Sequence, residues 1–472
     1  MKIALIIPRN GEPDDSSFYD LKFVSKFLFS KKSFAYLLAI PTLAALTPPE
    51  HEIRVFDENI EEIDYEWGPD LVGISVRTMF AKQAYSISNE FRTRGVKTVL
   101  GGIHPSMCTE EAMEHCDAVV VGEAEELWAG LLKDAAAGSL QKVYRAERKI
   151  DMHTTPPPRW SVLPRDKYLA DIVQTTKGCP FHCEFCSVYA YDGQGIRNKS
   201  VDQVLQEVRG VTSSVGGYQK KAIFFADDNI IANRKFSREL FRELKKLKIK
   251  WSCQASINIS KDEETLKLMR ESGCGSMLIG LESVSEQNLA RMDKGINKKH
   301  DYLQAIRTIQ AHGILVNGSF IVGYDFDTKE SFDELIAFIN EAKLLMPLIN
   351  VLTPFPGTKL FQRLEKEGRI LHKDWSKYDS KQVVFSPALL TPEELQQGYR
   401  KVISEIYSFE SIYKKLDHYM KIGFWATYNT EDPMKLKHQL LFAVRLLSLL
   451  PGGAPGRAGF IFKILPDIFK GR

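Results

Sequence analysis

The chain has 472 residues, 44% of them hydrophobic and 26% charged, ordinary proportions for a globular protein and enough length for about three domains at roughly 150 residues each. Against 60 acidic side chains stand 63 basic ones, a net charge of +3, too balanced for a nucleic-acid coat. Composition also excludes collagen and low-complexity disorder, and an odd count of 7 cysteines excludes a secreted disulfide framework and favours a reducing cytoplasmic setting.

The chain opens on an apolar run stopped by Pro8, without a small-residue cleavage site. It reads as a buried strand rather than a secretion signal. Four more such runs follow, HEIRVFDEN, DLVGISV, VKTVLGG and DAVVVGE, with amphipathic stretches such as AKQAYSISNEFRTRG between them. This alternation predicts a doubly wound, Rossmann-like α/β domain over residues 1–140, its parallel sheet covered on both faces. Gly73, Gly101, Gly102 and Gly122 end the strands, at the edge where such sheets bind ligands. Residues 141–168, with Pro156, Pro157 and Pro158 in a row, predict an extended linker.

A second alternation begins near residue 169. DIVQTTKG, KAIFFADD, WSCQASI, GSMLIGLE, ILVNGSFIVG and LINVLTPFP read as strands, with helical patterns such as SVDQVLQEVRGV and DEETLKLMRESG between them. About six β/α units predict a partial β/α barrel over residues 169–390, with its chemistry at the strands' C-terminal ends. Residues 391–472 read as a helical region, opening with one helix over residues 391–420 that Thr391 and Glu394 cap. From Lys435 to the end, seven Lys/Arg face one acid among many Leu, Ile and Phe. Such a tail suits peripheral membrane contact, or packing on the protein itself or a second copy. No run reaches about 18 uninterrupted apolar residues, so no spanning helix is expected.

Three of the cysteines, Cys179, Cys183 and Cys186, share one loop after the first barrel strand, spaced C-x3-C-x2-C. Three thiolates so placed suit a 4Fe–4S cluster with one iron left open. Zinc is the competitor, with His182 as a fourth ligand, although no second cysteine pair is present. An inert buried trio is the remaining alternative. Cys253 and Cys274 read as core or loop residues rather than ligands.

With Phe185 before the last cysteine, this loop resembles the signature of radical S-adenosylmethionine enzymes. The resemblance runs through the barrel and implies that the open iron binds S-adenosylmethionine, whose reductive cleavage gives a 5′-deoxyadenosyl radical. It further implies cosubstrate contacts from Asp227, Asp228 and Asn229 after the second strand, Glu282 and Ser283 after the fourth, and Gly323 after the fifth. Caps or strand-end ion pairs are the plainer readings of the acids among them. Residues 1–140 resemble the cobalamin-binding domain fused to many of these enzymes, through Phe56-Asp57-Glu58-Asn59, Leu100-Gly101-Gly102-Ile103-His104-Pro105 and Val121-Gly122-Glu123-Ala124-Glu125. Gly73, Gly101, Gly102, Gly122 and Glu123 would then lie against cobalamin, the glycines letting backbone approach a planar ring. The D-x-H-x-x-G lower-ligand motif is missing: Asp151-Met152-His153 is followed at 156 by Pro.

The layout is similar to hopanoid methylases and bacteriochlorophyll side-chain methylases. It implies cobalamin-dependent methylation of an unactivated carbon on a lipid or tetrapyrrole-like small molecule, an external one-electron reductant and no nucleic-acid partner. Ring formation, C–C coupling or oxidation without methyl transfer is the alternative. A non-catalytic sensor is the alternative from another class.

Overall fold

The computed structural model describes residues 1–9, 33–213, 222–294, 297 and 301–422. The basic apolar tail from Lys435 lies outside the described residues. Among those described, no helix is long and apolar enough to cross a membrane.

The first sheet contains β1 (Lys2–Ile7), β2 (Glu52–Asp57), β3 (Leu71–Ser75), β4 (Lys97–Gly101), β5 (Ala118–Val121) and β6 (Val143–Arg145). Every pairing is parallel, in the order β2-β1-β3-β4-β5-β6. The strand order reverses between β1 and β3, which opens a crevice at the C-terminal edge. Ile3, Ala4, Leu5 and Ile6 are all fully buried, because both faces of this sheet are covered and consecutive residues must be apolar. The sheet runs past residue 140. β6 is three residues long with one buried side chain, Tyr144, too short to show a period in the sequence.

Eight strands follow: β7 (Ala170–Val173), β8 (Thr176–Lys177), β9 (Arg197–Asn198), β10 (Ala222–Phe225), β11 (Trp251–Ala255), β12 (Cys274–Glu282), β13 (Leu315–Val322) and β14 (Leu348–Val351). Six of them form a second parallel sheet, in the order β14-β13-β12-β11-β10-β7, the open partial barrel expected. Here burial alternates. In β13, Val316, Gly318, Phe320 and Val322 are buried while Leu315, Asn317, Ser319 and Ile321 are half-buried. One face packs on helices such as Arg234–Lys245, which buries Phe236, Leu240, Phe241 and Leu244. The other face is partly open and mixed, with Gln254, Asn317, Ser319 and Asn350 among Leu278, Ile321 and Leu348.

Two expected elements divide. DIVQTTKG is not one strand: β7 stops at Val173, and Thr176–Lys177 pairs antiparallel with Arg197–Asn198. The C-terminal helix breaks into Pro392–Ile406 and Phe409–Lys421, because the Ser408 hydroxyl accepts from the Ser411 amide and starts a new helix. The Thr391–Glu394 capping box forms as expected.

One apolar core runs through both units and takes in Trp160, Leu163 and Tyr168 from the expected linker. The Tyr168 hydroxyl donates to Asp57 at 2.7 Å, and the Ile172 amide donates to the Tyr36 hydroxyl at 3.1 Å. The segment between the units is thus packed structure rather than a spacer.

Candidate active site

The cysteine loop is a hairpin closed by β8 and β9, with a further bridge between Cys179 and Gln194. Its root depends on Gly178, whose φ is +89°; any side chain there would run into the Gly195 carbonyl. The Thr175 and Thr176 amides donate to Asp227 at 2.6 and 2.9 Å, and the Thr175 hydroxyl at 2.5 Å. This capture draws the chain off the end of β7 and splits the expected strand. Asp227 is fully buried, and burial above all pushes its carboxyl up to about 6 despite those donors. Both its oxygens are engaged by the hairpin root, so it holds the loop rather than facing a ligand.

The far side of the hairpin is clasped by Glu184, which the sequence reading passed over. Its carboxylate accepts from the Tyr324 hydroxyl and from Arg363 at 3.0 and 3.3 Å. Its carbonyl accepts from the Leu360 amide at 2.9 Å, and Arg363 also pairs with Asp325 at 2.7 Å. The partners lie 140 and 179 residues away along the chain, so no local pattern carries the signal.

Burial drives the Cys183 thiol up to about 12 and also raises Cys179 and Cys186. Iron would bind the thiolates, so assembly releases protons. Cys179, Cys183 and Cys186 share the one hairpin loop, Cys183 buried and the other two half-buried, a placement that suits three corners of a cluster with one iron left open. Phe185 packs on the main core beside them.

The other strand-end residues divide by what they already hold. Asn229 is tied to Ser256, donating to its hydroxyl at 3.2 Å and accepting from its amide at 3.3 Å. Asp228 has no such side-chain tie among the described hydrogen bonds. Burial first, then the charges of Asp192 and Asp227, push its carboxyl up to about 7, with the Gly178 amide pulling the other way. A cationic group would relieve that repulsion. Glu282, at a bulge with φ +67°, pairs with Lys294, which also donates to the Gly280 carbonyl at 2.9 Å. The buried Ser283 hydroxyl accepts from the Ser285 amide at 3.1 Å. Gly323 has φ +99°, and its absent Cβ would meet Leu395 at 2.5 Å. Its glycine is explained by the packing of a C-terminal helix, not by a ligand ring approaching the backbone.

Between the first sheet and the hairpin lies a cavity of about 260 Å3. Gly73, Gly101, Gly102, Gly122 and Glu123 line it from the sheet edge, with Leu43 and Trp128. Pro156 and Pro158 wall it from the expected linker, and Lys177, Tyr191 and Lys199 from the barrel side. The glycines do not owe their identity to the cavity. A Cβ on Gly73 would meet Leu5 at 3.2 Å, on Gly101 Val120 at 3.6 Å, on Gly102 the Val76 carbonyl at 2.8 Å, and on Gly122 Ala146 at 3.1 Å. Positive φ at Gly102 and Gly122 and close packing at Gly73 call for glycine, whereas at Gly101 a Cβ would make only an ordinary contact. The floor they leave is nonetheless backbone and small side chains, which fits a broad group such as cobalamin. No histidine is among the lining residues; His104 is fully buried elsewhere, beside Tyr85, and His153 is exposed.

Glu123 joins cavity and hairpin. It is buried and pairs with Lys177 at 3.0 Å, the residue before Gly178, and with Arg197 at 2.8 Å in β9. The Ile150 amide donates to it at 2.9 Å, and the Tyr191 hydroxyl donates to the Gly122 carbonyl at 2.7 Å. Burial alone would raise its carboxyl, but Lys177, that amide and Arg197 together hold it below the usual range.

Comparison with known proteins agrees with this arrangement. Residues 46–132 match the B12 binding domain, residues 173–339 the radical SAM superfamily, and residues 358–469 a domain of unknown function called DUF4070. The chain is 36% identical over 355 residues to bacteriochlorophyllide d C-12(1)-methyltransferase of Chlorobaculum tepidum, covering 74% of this chain and 77% of that one. It is 29% identical to the hopanoid C-2 methylase of Rhodopseudomonas palustris, covering 83% and 75%. Among solved structures, the radical S-adenosylmethionine methyltransferase TsrM from Kitasatospora setae, with cobalamin and a 4Fe–4S cluster bound, superposes with a TM-score of 0.64 over 99% of each chain at 15% identity. The cobalamin-dependent radical enzyme OxsB, with aqua-cobalamin and S-adenosylmethionine bound, gives 0.67 over 99% of this chain and 80% of that one at 16% identity. The chain belongs to the radical S-adenosylmethionine enzymes that carry a cobalamin-binding domain, in the subgroup of the bacteriochlorophyllide and hopanoid methylases.

Proposed function

We propose that this enzyme methylates an unactivated carbon of a tetrapyrrole-like or hopanoid-like small molecule. The observation that carries the reading is the similarity to the bacteriochlorophyllide methyltransferase over most of both chains. When bound, the cluster with S-adenosylmethionine supplies a hydrogen-abstracting radical, and cobalamin supplies the methyl group. Cys179, Cys183 and Cys186 hold the cluster, and an external one-electron reductant feeds it. Asp228 accepts the ammonium of S-adenosylmethionine, as charge complementarity favours. Asp227 and Glu184 hold the hairpin in place from its two sides. The cavity under Gly73, Gly101, Gly102 and Gly122 receives cobalamin, and Glu123 fixes its rim to the hairpin. The half-open face of the barrel, with Gln254, Asn317, Ser319 and Asn350, receives the substrate's polar groups.

The test is anaerobic reconstitution with iron, sulfide, cobalamin and S-adenosylmethionine, followed by a bacteriochlorophyllide or a hopanoid. Formation of 5′-deoxyadenosine and S-adenosylhomocysteine together, with a product heavier by one methyl group, supports the reading. Deoxyadenosine without S-adenosylhomocysteine, and a product lacking the added methyl, favours ring formation. That second reading has its own support: the chain is 25% identical to the anaerobic magnesium-protoporphyrin IX monomethyl ester cyclase of Cereibacter sphaeroides over 76% of its length.

A further inference from the structure

We propose that His104, Cys108 and Glu111 form a binding site for one zinc-like divalent cation, distinct from the cysteine hairpin. The three residues follow β4: His104 and Glu111 on two short helices, Ile103–Met107 and Thr109–Glu114, and Cys108 at the kink between them. The helical hydrogen bonding continues through the kink between them: the Cys108 amide donates to the His104 carbonyl at 2.8 Å, and the Ala112 amide to the Cys108 carbonyl at 3.0 Å. Residues at i, i+4 and i+7 therefore share a face. One ligand atom from each lies within 4.8 Å of the other two, and His104 Nε2 is 3.6 Å from Glu111 Oε1.

A second observation points the same way. His104 is fully buried and its two ring nitrogens differ: Nε2 is the one beside the Tyr85 hydroxyl and Glu111, whereas Nδ1 has no hydrogen-bond partner and is the nitrogen left open to a cation. An unpartnered buried ring nitrogen is costly in a site without a ligand. The donor set is one sulfur, one imidazole nitrogen and one carboxylate oxygen, a borderline-soft combination suited to zinc or cobalt(II) rather than magnesium or calcium. A thiolate and a carboxylate also neutralise a dication, which lowers the cost of placing it inside the protein.

Surrounding groups orient the ligands. The Trp375 indole donates to both Glu111 oxygens, at 2.8 and 2.9 Å, and the Tyr85 hydroxyl lies 3.0 Å from His104 Nε2. Such outer partners are what a metal site requires to fix its ligands. Because Trp375 belongs to the segment after the last barrel helix, a bound cation also fastens that segment to the cobalamin-binding domain.

The test uses the full chain with Cys179→Ala, Cys183→Ala and Cys186→Ala, so that the cluster ligands cannot contribute. After chelation it is titrated with cobalt(II), then with zinc(II). The site predicts uptake of one cobalt per chain with a thiolate-to-cobalt charge-transfer band, displacement of that band by zinc, and a zinc-dependent rise in Tm. Adding Cys108→Ser removes both the band and the Tm rise. Should that variant fail to fold by circular dichroism, Glu111→Gln on the same background carries the test, through weaker cobalt binding with the band retained. A background that takes up no cobalt, a band that survives Cys108→Ser, or Glu111→Gln binding as tightly as its parent overturns the site.

Discussion

The two parallel sheets of this protein have the same strand count and opposite surfaces. The first is apolar and buried on both faces through its central strands β1, β3 and β5, and the cavity lies at its C-terminal edge. The second alternates, one face on helices and one half-open, where polar and apolar side chains mix. A sealed sheet can hold a large group at its rim but cannot enclose a reaction, whereas a half-open curved sheet can. The proposed division of labour, cobalamin on the first sheet's rim and the radical reaction in the second, uses that difference in burial. Glu123, Lys177 and Arg197 join the rim to the hairpin.

The largest effect should come from the hairpin. Cys183→Ala is expected to abolish the iron–sulfur absorption and the release of 5′-deoxyadenosine, while cobalamin binding at the first sheet's rim persists. Loss of both together would show that the two regions are not separable in this way.

The seam comes next. Glu123→Ala leaves Lys177 and Arg197 without their shared buried carboxylate. Breaking a buried pair from one side costs about 3–5 kcal/mol, and the partial exposure of the two cations, 20% and 23%, reduces it toward about 2–3 kcal/mol. The urea midpoint should fall accordingly, and cobalamin affinity should fall with it although iron still loads. An unchanged midpoint would mean that rim and hairpin are not joined through this residue.

Much of this was legible in the sequence, and the limit has a physical form. Local periodicity carried the strands of both sheets, and cysteine spacing carried the hairpin, because both signals lie within a few residues. The strand end at Val173 was not legible, because Asp227, about fifty positions on, pulls the Thr175 and Thr176 amides away. Glu184 looked like filler between two cysteines until Tyr324 and Arg363 arrived beside it. The glycines at the cavity were located by sequence, and the structure adds a packing reason for three of them: Leu5, Val76 and Ala146 crowd the space that side chains at Gly73, Gly102 and Gly122 would need.

Acid titration separates the two edges by sign. Asp327, after β13, is held by the Gly323 and Tyr324 amides, and burial still raises its carboxyl to about 6. Its contribution to stability is full below the ordinary aspartate value of about 3.9 and is lost as pH rises through about 6. Glu123, held low, behaves oppositely: its contribution is present above about 4.3 and is lost as pH falls through its lower folded value. Asp327→Asn should therefore remove a fall in stability between about pH 4 and 6, on the order of 3 kcal/mol. Glu123→Gln should flatten the acid limb instead. Urea midpoints measured across this range would decide it, and parallel curves for the two variants would refute the contrast.

The smallest expected effect tests how the C-terminal helices serve the second sheet. Gly323 needs no side chain for two separate reasons, a φ of +99° and the Leu395 methyls at 2.5 Å from where a Cβ would stand. Gly323→Ala should cost roughly 1–3 kcal/mol from backbone strain and overpacking together. Leu395→Ala removes the steric part and leaves the strain. In a double-mutant cycle the pair should therefore be less destabilised than the sum of the singles, by about 0.5–1 kcal/mol. Strict additivity would place the whole cost in the backbone. The helix would then lie on the β13 end without shaping it, and the glycine would be set by the turn toward Asp327 alone.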